Sequence, residues 1–141
     1  MTAASPEARI LEALLSHLQA MPGGRVLVWS NIVYPSPGAQ KANEYIVVSY
    51  SPGTPLAIVI DPADENKHMG IFGLSIMTLL NGGELHSQEI GGEVASHFHG
   101  KVLSSGSTTV RVTARPRVAG GYVDGDRWRT PVTVPFETIS V

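Results

Sequence analysis

The stretch Gly70-Ile-Phe-Gly-Leu-Ser-Ile-Met-Thr-Leu-Leu80 decides how this chain is expected to fold. Its side chains alternate in character, as they do in a strand whose successive residues point to opposite faces. One face is almost wholly apolar and carries Phe72, Leu74, Ile76, Thr78 and Leu80. The other face mixes apolar and small residues, namely Ile71, Gly73, Ser75, Met77 and Leu79. The pattern predicts a central strand that is covered by helices on the first face and only partly covered on the second.

The residues after Asn81-Gly82-Gly83 predict a helix over 84–98 that returns across the sheet. Ile90, Val94 and Phe98 recur at helical spacing, so they are expected to form its buried face.

Gly91 and Gly92 lie inside this predicted helix, where each costs about 1 kcal/mol relative to alanine. The pair indicates that the sheet or a neighbouring chain packs closely against the helix. A helix that begins later, or that is kinked at this point, is the local alternative.

The N-terminal segment predicts another helix, over 6–21. Ser5 can cap it, and Pro6 and Glu7 suit its first turn. An apolar stripe at helical spacing consists of Leu11, Leu14, Leu15, Leu18 and Met21. His17 lies beside this stripe and is interpreted as a surface residue.

Three shorter strands are predicted ahead of the central strand, over 25–29, 44–51 and 56–60. The connecting segments are predicted as loops or turns, over 30–43, 51–55 and 61–68. The first of them is Pro-rich and about a dozen residues long, which is typical of an interaction loop.

The C-terminal region predicts a strand over 107–115, with Val110, Val112 and Ala114 facing the core. A loop over 116–121 and a tight turn at Asp124-Gly125 follow.

A last strand is predicted over 127–137, with a buried face of Trp128, Thr130, Val132, Val134 and Phe136. Pro131 and Pro135 remove two backbone donors from the same side of this strand. Since such gaps suit an unpaired side, the sequence predicts an edge strand.

These elements predict a single α+β domain over 1–141, with a mixed or antiparallel sheet of about five to six strands and two helices. The composition, 43% hydrophobic and 16% charged, is typical of a globular protein. No stretch approaches a membrane span or a signal peptide, so no membrane partner is expected. The chain contains no Cys, which excludes thiolate metal sites and a Cys nucleophile.

Charge is unevenly distributed, with nine acids and four bases up to Gly100, then three acids and six bases. Such asymmetry could join an acidic face of one copy to a basic face of the next. A solvated surface with chance clustering is the alternative. The last two predicted strands and their connection carry a basic cluster, which consists of Arg111, Arg115, Arg117, Arg127 and Arg129. This cluster lacks interleaved exposed aromatic residues, so sequence-specific nucleic-acid binding is not expected.

The helix over 84–98 carries the best candidates for chemistry, His86, Glu89, Glu93 and His97, with His99 nearby. A small metal-dependent enzyme could in principle use the His86, Glu93 and His97 stripe. Four residues spread over three turns span too far for one coordination sphere, so a solvated helix face is favoured. We therefore assign no catalytic residue, no metal ligand and no cofactor.

The arrangement resembles the small tail-terminator, or tail-completion, proteins of long-tailed bacteriophages, the minor tail proteins that include the lambda tail terminator. Six features carry the resemblance: a helix over 8–21, Trp29-Ser30-Asn31, a Pro-rich loop ending in Tyr45-Ile-Val-Val48, the strand Gly70-Ile-Phe-Gly-Leu-Ser-Ile76, a helix ending Val94-Ala-Ser-His-Phe98, and Asp126-Arg-Trp128 followed by Pro131-Val-Thr-Val-Pro-Phe136. The closing segment is the most telling, whereas 54–68 departs from the pattern.

The resemblance implies a non-enzymatic virion structural protein of a siphovirus-type tail, assembled in the host cytoplasm. Such proteins form a hexameric ring on the head-proximal end of the tail tube. The ring ends tube polymerisation, contacts the tail tube protein and the head-completion or connector protein, and leaves a lumen for DNA. A head–tail connector or another tail-completion subunit would share the size and fold class and is the alternative.

A ring requires one face of a subunit to match a different face of its neighbour. The candidate interface residues are Gly91, Gly92, Arg111, Arg115, Arg127 and Arg129.

Overall fold

The computed structural model describes residues 5–29, 32–52, 56–57, 66–105 and 108–140. Its two helices are α1 (Pro6–Gln19) and α2 (Glu84–Phe98). Its strands are β1 (Leu27–Val28), β2 (Tyr45–Pro52), β3 (Leu56–Ala57), β4 (Asn66–Leu79), β5 (Val102–Ser105), β6 (Thr108–Val112), β7 (Arg117–Val118), β8 (Tyr122–Asp124) and β9 (Arg127–Ser140).

All the strands belong to one mixed sheet, whose main path runs β1-β2-β4-β9-β6-β5. The short strand β3 pairs with β4, and β7 and β8 pair with β9. β1 runs parallel to β2, whereas the other described pairs are antiparallel. The predicted α+β class with two helices is confirmed, and the sheet exceeds six strands because several two- and three-residue strands complete it.

β4 is the predicted central strand, paired with β2 on one side and with β9 along its whole length on the other. Phe72, Leu74 and Ile76 are at most 1% exposed, so the apolar face is buried as predicted. Leu80 lies beyond the strand and is 37% exposed. The strand begins at Asn66, which corrects the predicted loop over 61–68: residues 66–69 pair with the end of β9.

Both helices pack on the apolar face of the sheet and share one core with it. The buried members include Ile10, Ala13, Leu14 and Leu18 of α1, Ile90, Val94 and Phe98 of α2, Ile46 and Val48 of β2, and Val132, Val134 and Phe136 of β9. The two helices thus fix which face of the sheet is covered.

α1 begins as predicted, because the Ser5 hydroxyl accepts a hydrogen bond from the Ala8 amide. Its buried stripe is rotated from the predicted one: Ile10 is buried, whereas Leu11 and Leu15 are only half-buried. The packing against β5 and β6 sets this rotation, which the spacing of leucines alone could not define.

The Pro-rich segment after β1 packs on part of the other sheet face. The Tyr34 ring lies 4.9 Å from the Tyr45 ring, and its hydroxyl accepts a 2.7 Å hydrogen bond from the Ala42 amide. Together with Val28 and Met77 these residues form a second, smaller cluster. The predicted partial cover of the second face is therefore confirmed.

β9 corrects the predicted edge strand, because it lies inside the sheet. β4 pairs with one side, and β6, β7 and β8 pair in succession with the other. The Pro131 and Pro135 carbonyls accept hydrogen bonds from the Ala119 and Thr113 amides, at 2.9 and 3.1 Å. Since the N and C=O of a strand residue point to the same side, both missing donors face the three short strands.

Each proline therefore stands where a neighbouring strand ends. β6 ends at Val112, opposite Phe136, and β7 ends at Val118, opposite Val132. The next rung of each ladder would need a proline N–H, which does not exist. The two prolines thus separate β6, β7 and β8 along one side of β9. The sequence instead predicts that they protect a free edge.

Three other strand predictions need correction or fall partly outside the described residues. The strand predicted over 107–115 ends at Val112, so Ala114 is exposed, and β5 was not predicted. The loop predicted over 116–121 contains β7, because the neighbouring backbone of β9 supplies a partner. Residues 53–55, 58–60 and 61–65 of the predicted turn, third strand and polar loop lie outside the described residues.

Candidate assembly surfaces

The polar stripe of α2 makes contacts within the chain. His86 Nε2 lies 2.5 Å from a Glu44 carboxylate oxygen, and an Arg25 Nη lies 2.8 Å from Glu93. Glu44 also lies 3.9 Å from Arg25, so the stripe ties α2 to the segments that lead into β1 and β2. Among the described residues, no three His, Cys, Asp or Glu side chains come together as a metal site would require.

His17 and His97 form a contact that the sequence does not predict. Their rings stack with centroids 3.9 Å apart and planes inclined by 10°. His17 is half-buried in this contact, which corrects its interpretation as a surface residue. Two histidines 80 positions apart carry no local sequence signal, because only the tertiary fold brings the ends of α1 and α2 together.

The two glycines of α2 have different surroundings. A Cβ on Gly91 would lie 2.6 Å from Val118 Cγ1, so the close packing predicted here is with β7 of the same chain. Nothing lies within 4 Å of the corresponding position on Gly92. The helix is continuous from Glu84 to Phe98, so it does not begin later.

Gly92 borders an open groove of about 820 Å³ between the exposed side of α2 and the segment after α1. The other lining residues include Met21, Pro22, Gly23 and Ser96. The missing side chain at Gly92 thus leaves room beside the helix that another backbone could approach. Gly92 remains an interface candidate, whereas Gly91 is buried.

Two of the four candidate arginines support the chain internally. Arg127 is 8% exposed and donates hydrogen bonds to Asp126 and to the Ala42 carbonyl. Arg129 donates to Asp124 at 2.6 Å and to the Ser75 hydroxyl at 2.8 Å. These contacts hold the β8–β9 hairpin and explain the two arginines without a second copy.

A further ion pair joins the Pro-rich segment to the same hairpin, since Lys41 Nζ lies 2.9 Å from an Asp126 carboxylate oxygen. The hydrogen bond from Lys41 lowers the pKa of the Asp126 carboxyl and raises the pKa of Lys41. Both charged forms are thus favoured, and this exposed contact weakens when acid protonates Asp126.

The other candidate arginines are exposed. Arg111 pairs with Glu137 across β6 and β9 on the open sheet face. Arg115 lies in the connection between β6 and β7, and Arg117 is the first residue of β7. Within the described part of the chain, neither arginine side chain has a hydrogen bond or an ion pair. This basic surface of Arg111, Arg115 and Arg117 is available for contact with another molecule.

An exposed apolar surface lies at the end of the sheet where β4 leads into α2, and the sequence does not predict it. Leu79, Leu80 and Val123 are 44%, 37% and 61% exposed, and with Trp128 they line a hollow of about 300 Å³. Leu85, in the first turn of α2, is 76% exposed. The one residue in the sequence that could have indicated this surface is Leu85, an apolar residue between Glu84 and His86 in the polar first turn of α2.

A family model described as phage tail terminator protein matches residues 9–136. A search of curated proteins finds no significant match. One solved structure superposes with a TM-score of 0.68 at 18% identity, covering 96% of this chain and 93% of its own, and this similarity shows the fold alone.

No helix within the described ranges is long and apolar enough to cross a membrane. The family match extends from α1 through most of β9 and so covers both helices and the centre of the sheet. The chain therefore belongs to the phage tail terminator family.

Proposed function

We propose that this protein forms a closed hexameric ring on the head-proximal end of a phage tail tube. The ring ends polymerisation of the tail tube protein and presents a surface to the head-completion or connector protein. The family match over residues 9–136 carries this proposal, because it identifies a structural protein of the phage tail. A non-enzymatic role in the virion follows from the same family.

Ring closure needs two different surfaces on each subunit, because identical patches that meet each other stop at a dimer. The helix side of this chain carries the exposed acids Glu84 and Glu89 and the open groove at Gly92. The basic surface includes Arg111, which lies on the opposite face of the sheet. Opposite charge on opposite sides supports a front-to-back contact between neighbouring copies.

The exposed apolar surface around Leu79, Leu80, Leu85 and Val123 supports assembly independently of charge. Leu79, Leu80 and Val123 border one hollow, and exposed apolar residues grouped in this way commonly mark protein–protein contacts. It lies at one end of the sheet, away from the basic surface, so a second contact along the tail axis is compatible with a lateral contact within the ring.

The decisive experiment polymerises purified tail tube protein with and without this chain, and measures tube length by electron microscopy and ring mass by light scattering. Short tubes with a ring at one end are expected. Tubes of unchanged length, together with a strictly monomeric protein in their presence, would refute the proposal. A head–tail connector would instead bind the head vertex and leave tube length unaltered.

The lateral contact is tested by the double variant Arg115→Glu, Arg117→Glu, with Arg115→Lys, Arg117→Lys as the charge-preserving control. The reversal is expected to abolish rings while the unfolding temperature stays nearly unchanged, since neither arginine side chain has a partner in the described part of the chain and a substitution leaves the backbone pairing of Arg117 with Thr133 in place. Rings that survive the reversal would remove these residues from the interface.

A further inference from the structure

The stacked His17 and His97 rings are joined by two reciprocal hydrogen bonds. His17 Nε2 lies 2.6 Å from the His97 carbonyl oxygen, and His97 Nε2 lies 2.6 Å from the His17 carbonyl oxygen. Since carbonyl oxygens only accept, both Nε2 atoms must carry hydrogen. In the neutral pair, each Nδ1 is therefore unprotonated, and any further proton has to bind there.

The position of the pair makes it a connection between two helix ends. His17 belongs to the last turn of α1, and His97 to the last turn of α2. The buried Phe98 ring packs edge-on against both imidazoles, at centroid distances of 4.9 and 5.6 Å. The stack thus closes one end of the core between the helices.

The charged groups near the His17–His97 pair disfavour protonation of His17. Lys101 follows α2 and, like His97, acts electrostatically to lower the pKa of His17. Arg25 borders the same groove as His97, but Glu93 neutralises it through their 2.8 Å ion pair. His99 is exposed at the end of α2 and is a further titratable group on this side.

Burial is the largest influence on His17 and lowers its pKa below the usual 6.5. The hydrogen bond to the His97 carbonyl acts in the opposite direction but does not cancel it. A histidine with a lowered pKa binds fewer protons in the folded state than in the unfolded state. Its contribution to stability is therefore present at neutral pH and is lost as the pH falls below about 6.5.

We propose that the His17–His97 pair is a proton-sensitive latch, which holds the end of α1 against the end of α2 while the rings are neutral and releases it on acidification. Two protonated imidazoles with centroids 3.9 Å apart repel each other, so full protonation opposes the stack. Release would free the segment that follows α1, including Met21 and Gly23, which line the groove beside Gly92. The latch would thereby couple pH to the shape of that groove.

The first test needs no variant. A titration of the wild-type imidazoles by nuclear magnetic resonance should show Nε2–H tautomers for both residues at neutral pH and a His17 midpoint below 6.5. A His17 midpoint at or above 6.5, or an Nδ1–H tautomer in either ring, would overturn the proposal.

The second test measures amide protection factors over residues 15–20, corrected for intrinsic exchange, between pH 7.5 and 5.5. Below about pH 6.5, where the opened form binds one extra proton, protection should fall by about tenfold per pH unit, and above that pH it should change little. The double variant His17→Gln, His97→Gln keeps side-chain N–H donors but cannot titrate, so its protection should be nearly independent of pH. His99→Gln is the control and should retain the wild-type slope; a double variant that also retains it would refute the latch.

Discussion

Replacing each glycine of α2 by alanine should change stability in opposite directions, although the two residues are adjacent in one helix. Gly92→Ala adds a methyl group where nothing lies within 4 Å, so it should stabilise the protein by about 1 kcal/mol through helix propensity. Gly91→Ala gains the same propensity but places the methyl carbon 2.6 Å from Val118 Cγ1.

The cost at Gly91 depends on whether Val118 can move. Valine is restricted at χ1, and Val118 lies in a strand paired with β9, so relief requires backbone displacement. Overpacking of this kind costs about 1–3 kcal/mol. Set against the helix gain of about 1 kcal/mol, the net effect of Gly91→Ala is a loss of between about 0 and 2 kcal/mol.

Urea unfolding of both variants measures this difference directly. The two free energies of unfolding should differ by about 1–3 kcal/mol, with Gly92→Ala the more stable. Adding Val118→Ala to Gly91→Ala should remove the overpacking and bring part of the loss back. If Gly91→Ala proved as stabilising as Gly92→Ala, Val118 could not be the reason for the glycine.

Three other substitutions test the core, the hairpin and the apolar surface. Phe72→Ala should cost about 3–5 kcal/mol in urea unfolding because Phe72 is fully buried, whereas the neighbouring Ile71→Ala, at a residue 46% exposed, should cost far less; equal losses would contradict the assignment of the strand faces. Arg129→Glu should lower the unfolding temperature because it opposes Asp124 and loses Ser75, and Arg115→Glu should not; the reverse order would exclude an internal role for Arg129. Leu85→Ser should leave the unfolding temperature nearly unchanged but reduce tube capping, and unaltered capping would remove the apolar surface from assembly.

The local patterns in the sequence were sufficient for the elements whose signals are short-range. Alternation predicted β4 and β9, the 3.6-residue period predicted α2, and Ser5-Pro6 predicted the start of α1. These elements form the centre of the fold, so the α+β class followed from them. The resemblance of the closing segment then led to the tail terminator family that the comparison shows.

The tertiary structure decided what depends on residues far apart in the chain. The prolines at 131 and 135 predict only that one side of β9 lacks two backbone hydrogen-bond donors. They do not predict that β6, β7 and β8 pair with that side. Likewise, Gly91 indicates a close neighbour without identifying Val118, and His17 gives no hint of His97.

The amino-acid pattern alone was enough to predict the type and order of the main elements and which of their faces are apolar, because side chains on one face recur every two residues in a strand and every 3.6 residues in a helix. It could not determine which strand lies beside which, nor which arginines are used inside the chain. Those outcomes depend on the packing of the two helices and on backbone partners many residues away, as the contacts of Arg127 with Ala42 and of Arg129 with Ser75 illustrate.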